Sequence, residues 1–121
     1  DRAFATLRSE RPDAVLVSSD TFFLANAERV AELALANNVP VLSTTRQLTE
    51  AGILASYGAD LNAVSRRAAT YVHRILKGAK PGDLPVELPT KFELVINMRT
   101  ASAIGIAIPS AVSARADEVI R

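Results

Sequence analysis

Residues 53–61 read ILASYGADL. An apolar run, Ile53 to Ala55, passes into Ser56, Tyr57 and Gly58, and a helical pattern opens directly behind Asp60. A short apolar run bounded by turn residues reads as a buried strand, and a helix following at once makes it half of a strand–helix crossover. Strands alternating with helices along the chain imply right-handed crossover units and a parallel sheet, which is the α/β class.

Working outward, the helix from about Leu61 to Lys77 is the clearest element. Leu61, Val64, Ala68, Val72, Ile75 and Leu76 keep helical spacing, while Arg66, Arg67, His73, Arg74 and Lys77 lie largely off that stripe. Asp60 reads as the N-cap, its carboxylate suited to the positive end of the helix dipole, and Gly78 as the left-handed stop. KGAKPGDLPVELP (77–89), with three prolines, is a connector too long for a tight turn, of the kind that crosses between structural units. FELVIN (92–97) is a strand, and a short helix around Thr100 to Ile104 stops at Gly105. Pro109 opens a final helix over roughly Ser110 to Ile120.

Upstream, VPVLST (39–44) reads as a further strand, and AVLVSS (14–19) as one buried on both faces. Between them, about Leu24 to Ala36 is helical, with Val30, Leu33 and Ala34 on one side, and Asn37, Asn38 and Pro40 end it. DRAFATLR resembles the last turns of an amphipathic helix, with Ala3, Phe4 and Leu7 on one side, broken by Arg11-Pro12-Asp13. The chain starts at Asp1 rather than Met, and the expectation is that an N-terminal portion is missing. The fold class that follows is α/β, a parallel sheet with flanking helices.

Composition removes several function classes. With 121 residues the chain is long enough for one core, and 49% apolar with 22% charged residues is globular rather than disordered. No apolar stretch approaches the roughly 20 residues of a membrane span. A net charge of +1, aromatic content of 5% and no Lys/Arg block argue against a nucleic-acid partner. Cysteine is absent and His73 is the single histidine, which removes thiol chemistry and multi-histidine metal sites. There is no glycine-rich phosphate loop and no G-x-S-x-G elbow, so neither a catalytic residue nor a cofactor is expected and the chain is read as not an enzyme.

Ligands of open parallel sheets collect beyond the carboxyl ends of the strands. Here those ends carry Ser18, Ser19, Asp20 and Thr21; Ser43, Thr44, Thr45 and Arg46; and Ser56, Tyr57 and Gly58. Hydroxyls, a carboxylate, a guanidinium and a phenol can hold the polar end of a small molecule and cover its apolar part. The same residue types also cap helices and make turns, so two readings stand at each position. Tyr57 is the hardest to assign to turn chemistry, because a phenol at a strand end needs a partner for its hydroxyl. Gly58 supplies either a turn or a close ligand approach. For Phe22 and Phe23 burial against the following helix is the default and one of them facing a cleft the minority reading, and His73 with its basic neighbours reads as a solvated helix face.

The succession DAVLVSSD, NNVPVLSTT, AGILASYGADL and RILKGAKPGDLPVELPTKFELVINMRTASAIGIAIP, with SARADEVI near the end, closely resembles the C-terminal part of the ABC-transporter substrate-binding protein family. The resemblance implies a type I periplasmic-binding-protein fold, in which two α/β lobes close on a ligand. By analogy, residues 1–50 belong to the C-terminal lobe, 51–84 supply a crossover strand and helix to the N-terminal lobe, and 85–121 return to the C-terminal lobe. It further implies a periplasmic solute-binding component of an importer. Its partners are a small-molecule ligand, described for relatives as aromatic amino acids, and a transporter permease. The implied ligand-binding residues are Ser19, Asp20, Thr21, Thr44, Tyr57 and Gly58. One departure widens the ligand class: where relatives that bind amino acids carry an amide after the Asp, this chain has Thr21 followed by two phenylalanines. The rival readings are a sensory module of the same fold and an α/β enzyme cut short, and self-association through exposed sheet or cleft surface is a further expectation.

Overall fold

The computed structural model describes residues 2–121, so Asp1 lies outside the described residues. In chain order the elements are α1 (Arg2–Glu10), β1 (Val15–Val17), α2 (Thr21–Ala25), α3 (Ala27–Ala36), β2 (Val41–Ser43), α4 (Arg46–Ala51) and β3 (Ala55–Ala59). Then follow α5 (Leu61–Leu76), a 3-10 turn (Pro81–Asp83), β4 (Phe92–Asn97), α6 (Met98–Ala103), α7 (Ser110–Ser113) and β5 (Glu118–Ile120).

The helix ends follow from local chemistry. Arg11 adopts φ 47° as α1 gives way to Pro12, and Asn38 adopts φ 50° after α3, where the Asn37 amide donates to the Leu33 carbonyl at 2.6 Å. Each terminates a helix with a residue in the left-handed region, which few side chains other than asparagine tolerate well. Gly78, at φ 101°, stops α5 as its position predicts.

The strands form one sheet in the order β1-β2-β3-β4-β5. β1 and β2 are parallel with Val15, Leu16 and Val17 against Val41, Leu42 and Ser43, and β2 and β3 are parallel with Leu42 and Ser43 against Ala55 and Ser56. β4 and β5 are parallel to each other, Val95 to Asn97 against Glu118 to Ile120. The Asn97 N–H, at the end of β4, donates to the carbonyl of Leu54, just before β3, at 2.9 Å. The end of one strand meets the start of the other, so β4 and β5 run opposite to the first three. The expected parallel sheet is thus parallel within each group and reversed between them.

Two apolar clusters flank this sheet. One gathers Val17, Val41, Leu48 and Ile53 with Val30, Ala31 and Ala34 of α3, and Phe4, Val15 and Phe23 pack against it. The other gathers Leu54, Ala55, Ile96 and Ala101, with Leu94, Met98, Ile104, Ile106 and Ile108 around it. Asn97 fastens the second cluster to α4: its Oδ1 accepts from the Thr100 N–H at 3.1 Å and its Nδ2 donates to the Thr49 carbonyl at 3.3 Å.

Several expectations are corrected. The final helix over 110–120 is a four-residue helix followed by β5, because Asp117 exchanges two bonds with Leu94, one through backbone and one through its carboxylate, and so starts a strand beside β4. The helix expected from Leu24 begins at Thr21 and is divided at Asn26 into α2 and α3. α4, unforeseen, occupies 46–51. Finally, β1 is buried on one face alone. It is an edge strand, and Leu16, on the face away from α3, is 70% exposed.

The chain forms two compact units: the stretch ending at Gly58 together with Glu93–Arg121, which holds the sheet, and Ala59–Phe92. In the second unit the proline-rich connector runs alongside α5 and is clipped to it at three places. The Asp60 N–H donates to the Lys91 carbonyl at 3.0 Å, and Lys91 Nζ donates to the Asp60 carboxylate at 2.8 Å. Arg67 makes a bidentate bond to Glu87, and the Tyr71 hydroxyl donates to the Pro85 carbonyl at 2.6 Å. The Arg67 guanidinium also lies over the Tyr71 ring. Between helix and connector is an apolar groove of about 1000 Å³, lined among others by Val64, Val72, Ile75 and Leu88. The helical stripe read from the sequence is therefore present, and within this chain it faces a groove rather than a filled core.

Candidate functional site

The register places the strand ends on common levels. Val17, Ser43 and Ser56 share one rung and are buried. One residue further along each strand come Ser18, Thr44 and Tyr57, all exposed. Alternation along a strand turns these three to the face opposite Val17, Ser43 and Ser56. Ser18, next to the Ser19 named from the sequence, sits on this rung. Ser43, on the buried side, uses its hydroxyl to accept the Thr45 N–H at 3.1 Å, which shapes the turn into α4.

Ser19, Asp20 and Thr21 follow β1 and are exposed. Asp20 is the N-cap of α2, its Oδ1 accepting the Phe22 N–H at 2.7 Å. The capping reading is therefore real at Asp20, and it occupies one carboxylate oxygen of a solvated side chain. Thr44 and Tyr57 stand on neighbouring strands, and Tyr57 is 62% exposed. All six residues read from the sequence lie at the carboxyl edge of β1, β2 and β3.

Gly58 has a purely structural reason to be glycine. A Cβ there would come within 1.9 Å of the Thr44 carbonyl oxygen and 2.8 Å of its carbon. Backbone touches backbone at this point, so the close approach that Gly58 permits is that of β2.

Arg46, one of the polar groups that the sequence places at the strand ends, opens α4 at the same edge. It is bound by three carboxylates: Glu50 at 2.6 Å, Glu93 at 3.3 Å and Glu118 at 2.5 Å. The hydrogen bonds it donates to Glu50 and then Glu118 raise its pKa further and keep the guanidinium charged. Because Glu93 is the second residue of β4 and Glu118 the first of β5, one side chain ties the turn after β2 to both reversed strands. The spacing of Arg46 to Glu50 is a legible helical pair. The two long-range partners have no local signal.

Asp60 is a cap as expected: its Oδ1 accepts the Ala63 N–H at 2.9 Å. The Lys91 ammonium, with help from that N–H, holds the carboxyl well down, to about 2. Glu87 is likewise lowered to about 2, chiefly by Arg67. His73 is exposed on α5. Among the described residues no group of three His, Cys, Asp or Glu side chains could hold a metal ion, and no helix is long and apolar enough to cross a membrane.

Comparison with known proteins joins this geometry to a family. The model of the family described as "ABC transporter substrate binding protein" matches residues 3–120. The chain belongs to that family. Among solved structures, a conserved domain protein from Vibrio cholerae O1 biovar El Tor strain N16961 superposes with a TM-score of 0.89 at 32% identity, over 98% of this chain and 40% of that one. An ABC domain in complex with L-Trp from Streptococcus pneumonia also gives a TM-score of 0.89, at 28% identity over the same shares. The "Tyrosine-binding protein" of Clostridioides difficile strain R20291 is 26% identical over 92 residues, which are 76% of this chain and 27% of that protein. The chain thus spans well under half the length of these members of the family. The α/β class and the resemblance read from the sequence both stand, and the family that the chain matches is one of substrate-binding proteins.

Proposed function

We propose that this chain is part of the solute-binding component of an ABC importer, which captures a small organic molecule by closure of two lobes. The observation that carries the reading is the shared edge of β1, β2 and β3. Three parallel strands end together there and offer Ser19, Asp20 and Thr21, then Thr44, then Tyr57 to solvent, which is where ligands of such sheets bind. Asp20 accepts hydrogen bonds from an amine or hydroxyl of the solute with the oxygen that the cap leaves over. Ser19, Thr21 and Thr44 exchange hydrogen bonds with its polar end, and Tyr57 covers an apolar or aromatic face. Gly58 acts here through the backbone, by letting the tips of β2 and β3 approach.

In this reading the sheet unit belongs to one lobe, and Ala59–Phe92 contributes to the other. The apolar face of α5 is then a surface of that second lobe. Ligand touches both lobes only in the closed form, so binding shifts the population toward closure. The permease of the importer is the protein partner, and the working compartment is outside the cytoplasm, in the periplasm. The names of the relatives that bind tyrosine and L-Trp support an amino acid or an aromatic compound as the solute.

Isothermal titration against a panel of amino acids and aromatic acids tests this, with this chain and the natural full-length protein measured in parallel. The full-length protein is expected to bind at least one of them, and this chain weakly or not at all, because only part of each lobe is present. Tight binding by this chain alone would overturn the two-lobe reading. Absence of binding by the full-length protein would overturn solute capture from this panel.

A further inference from the structure

We infer that Phe22 is a specificity-determining residue of the solute site, a fixed aromatic wall that favours planar, apolar solutes over aliphatic ones. The inference rests on the solute-binding reading above and adds a residue to it. Phe22 and Phe23 are adjacent and chemically identical, and the fold treats them oppositely. Phe23 is half-buried and packs on the core beneath α2, whereas Phe22 is 67% exposed. A single exposed apolar side chain needs no explanation by itself. Three further features set this one apart.

First, its backbone is held on both sides by side chains. The Phe22 N–H is bound by the Asp20 carboxylate at 2.7 Å, and the Phe22 carbonyl accepts from the Asn26 amide at 2.8 Å. Second, the ring itself is braced. It meets Phe23 edge-on, with centroids 5.6 Å apart and planes at 74°, and Phe23 is in turn fixed by the core. Third, it stands two residues beyond Asp20, at the carboxyl edge where the polar candidates are. Asp20 thereby does two things: one oxygen sets the Phe22 backbone, and the carboxylate remains solvated beside it. A ring already ordered before binding loses little conformational freedom when a ligand stacks on it, so its contact area converts efficiently into affinity.

With Tyr57 exposed on β3 and Phe22 exposed after β1, aromatic side chains are rooted at both sides of Thr44. The polar end of a solute is served by Ser19, Asp20 and Thr21, and Phe22 reads what is attached to it. The sequence default of burial for both phenylalanines is met by Phe23 and not by Phe22.

The test uses the natural full-length protein and its Phe22→Ala, Phe22→Leu and Phe22→Tyr variants. Each is titrated with L-tryptophan, L-tyrosine, L-leucine and L-valine, with far-UV circular dichroism to verify folding. Phe22→Ala is expected to weaken the aromatic pair by about 5- to 10-fold, the scale of one aromatic contact, and the aliphatic pair by less than about twofold. Phe22→Tyr, which keeps the ring, should hold the parental preference, and Phe22→Leu should lose it while keeping apolar bulk. Equal weakening of all four solutes, or an unchanged ratio in both Phe22→Ala and Phe22→Leu, would overturn the inference and leave solute capture intact. If the parent binds none of the four, solute capture from this panel fails first, and the role of Phe22 falls with it.

Discussion

Replacing Gly58 by alanine isolates the one contact at the candidate site that the geometry fixes most tightly. The added Cβ would lie 1.9 Å from the Thr44 oxygen, 2.8 Å from its carbonyl carbon and 3.3 Å from its Cα. Ordinary contact begins more than an ångström further out than the first of these distances. The atoms met are main chain, in the residue that directly follows β2, so no rotamer change relieves the clash. The tips of β2 and β3 must part, which also strains the Ser43–Ser56 rung below them. Overpacking costs ~1–3 kcal/mol where side chains can yield, and the absence of any yielding group places this case at the upper end, about 3 kcal/mol. For a domain of this size that lowers Tm by about 10 °C. Gly82→Ala is the control: it meets nothing within 4 Å, so its effect should stay within about 0.5 kcal/mol. Thermal melts followed by far-UV circular dichroism, without ligand, compare the two. If Gly58→Ala melts within about 2 °C of the parent, the backbone contact is not what requires glycine. A change in solute affinity alone would then point to ligand approach instead.

Arg46→Gln should destabilise the sheet unit by about 1 kcal/mol, a modest figure because solvent screens a partly exposed side chain. It leaves Glu50, Glu93 and Glu118 facing one another, so added salt should recover part of the loss, and a salt-independent Tm difference would refute the electrostatic account. Acid titration of the α5 unit supplies another check. Asp60 and Glu87 are both depressed to about 2 in the folded chain, so their bonds contribute fully above the unfolded carboxylate range and are lost as pH falls through 2. Protection of the Ala63 amide against hydrogen exchange, relative to its intrinsic rate at each pH, should persist at pH 4 and fall toward pH 2, and protection already lost at pH 4 would contradict the Lys91 pairing.

Much of this fold is legible because its signals are local. FELVIN is β4 to the residue, since an apolar run between a proline-rich connector and a capping asparagine has few other solutions. Asp60 and Gly78 mark the ends of α5 for reasons contained in a few residues. The illegible parts are long-range. DEVIR has no strand period of its own, and β5 exists because Asp117 finds Leu94 and Val119 finds Ile96. α4 escapes notice because six residues give too little helical period to see, and Leu16 is exposed although β1 reads as buried. At the candidate edge the residue types were readable, including the cap at Asp20. The division of labour between Phe22 and Phe23 was not, because the sequence holds no information on which ring the core will take.

The antiparallel meeting of β3 and β4 has a consequence for how this chain can vary. Counting from the bond between Leu54 and Asn97, Gly58 and Glu93 face one another across neighbouring strands, about 5 Å apart. Residues 60–91 leave and rejoin the sheet through a gap no wider than a hairpin's. Lengthening, shortening or exchanging that excursion therefore asks nothing of the five strands, and the sheet and the polar edge it carries can be inherited unchanged while the insertion is rebuilt.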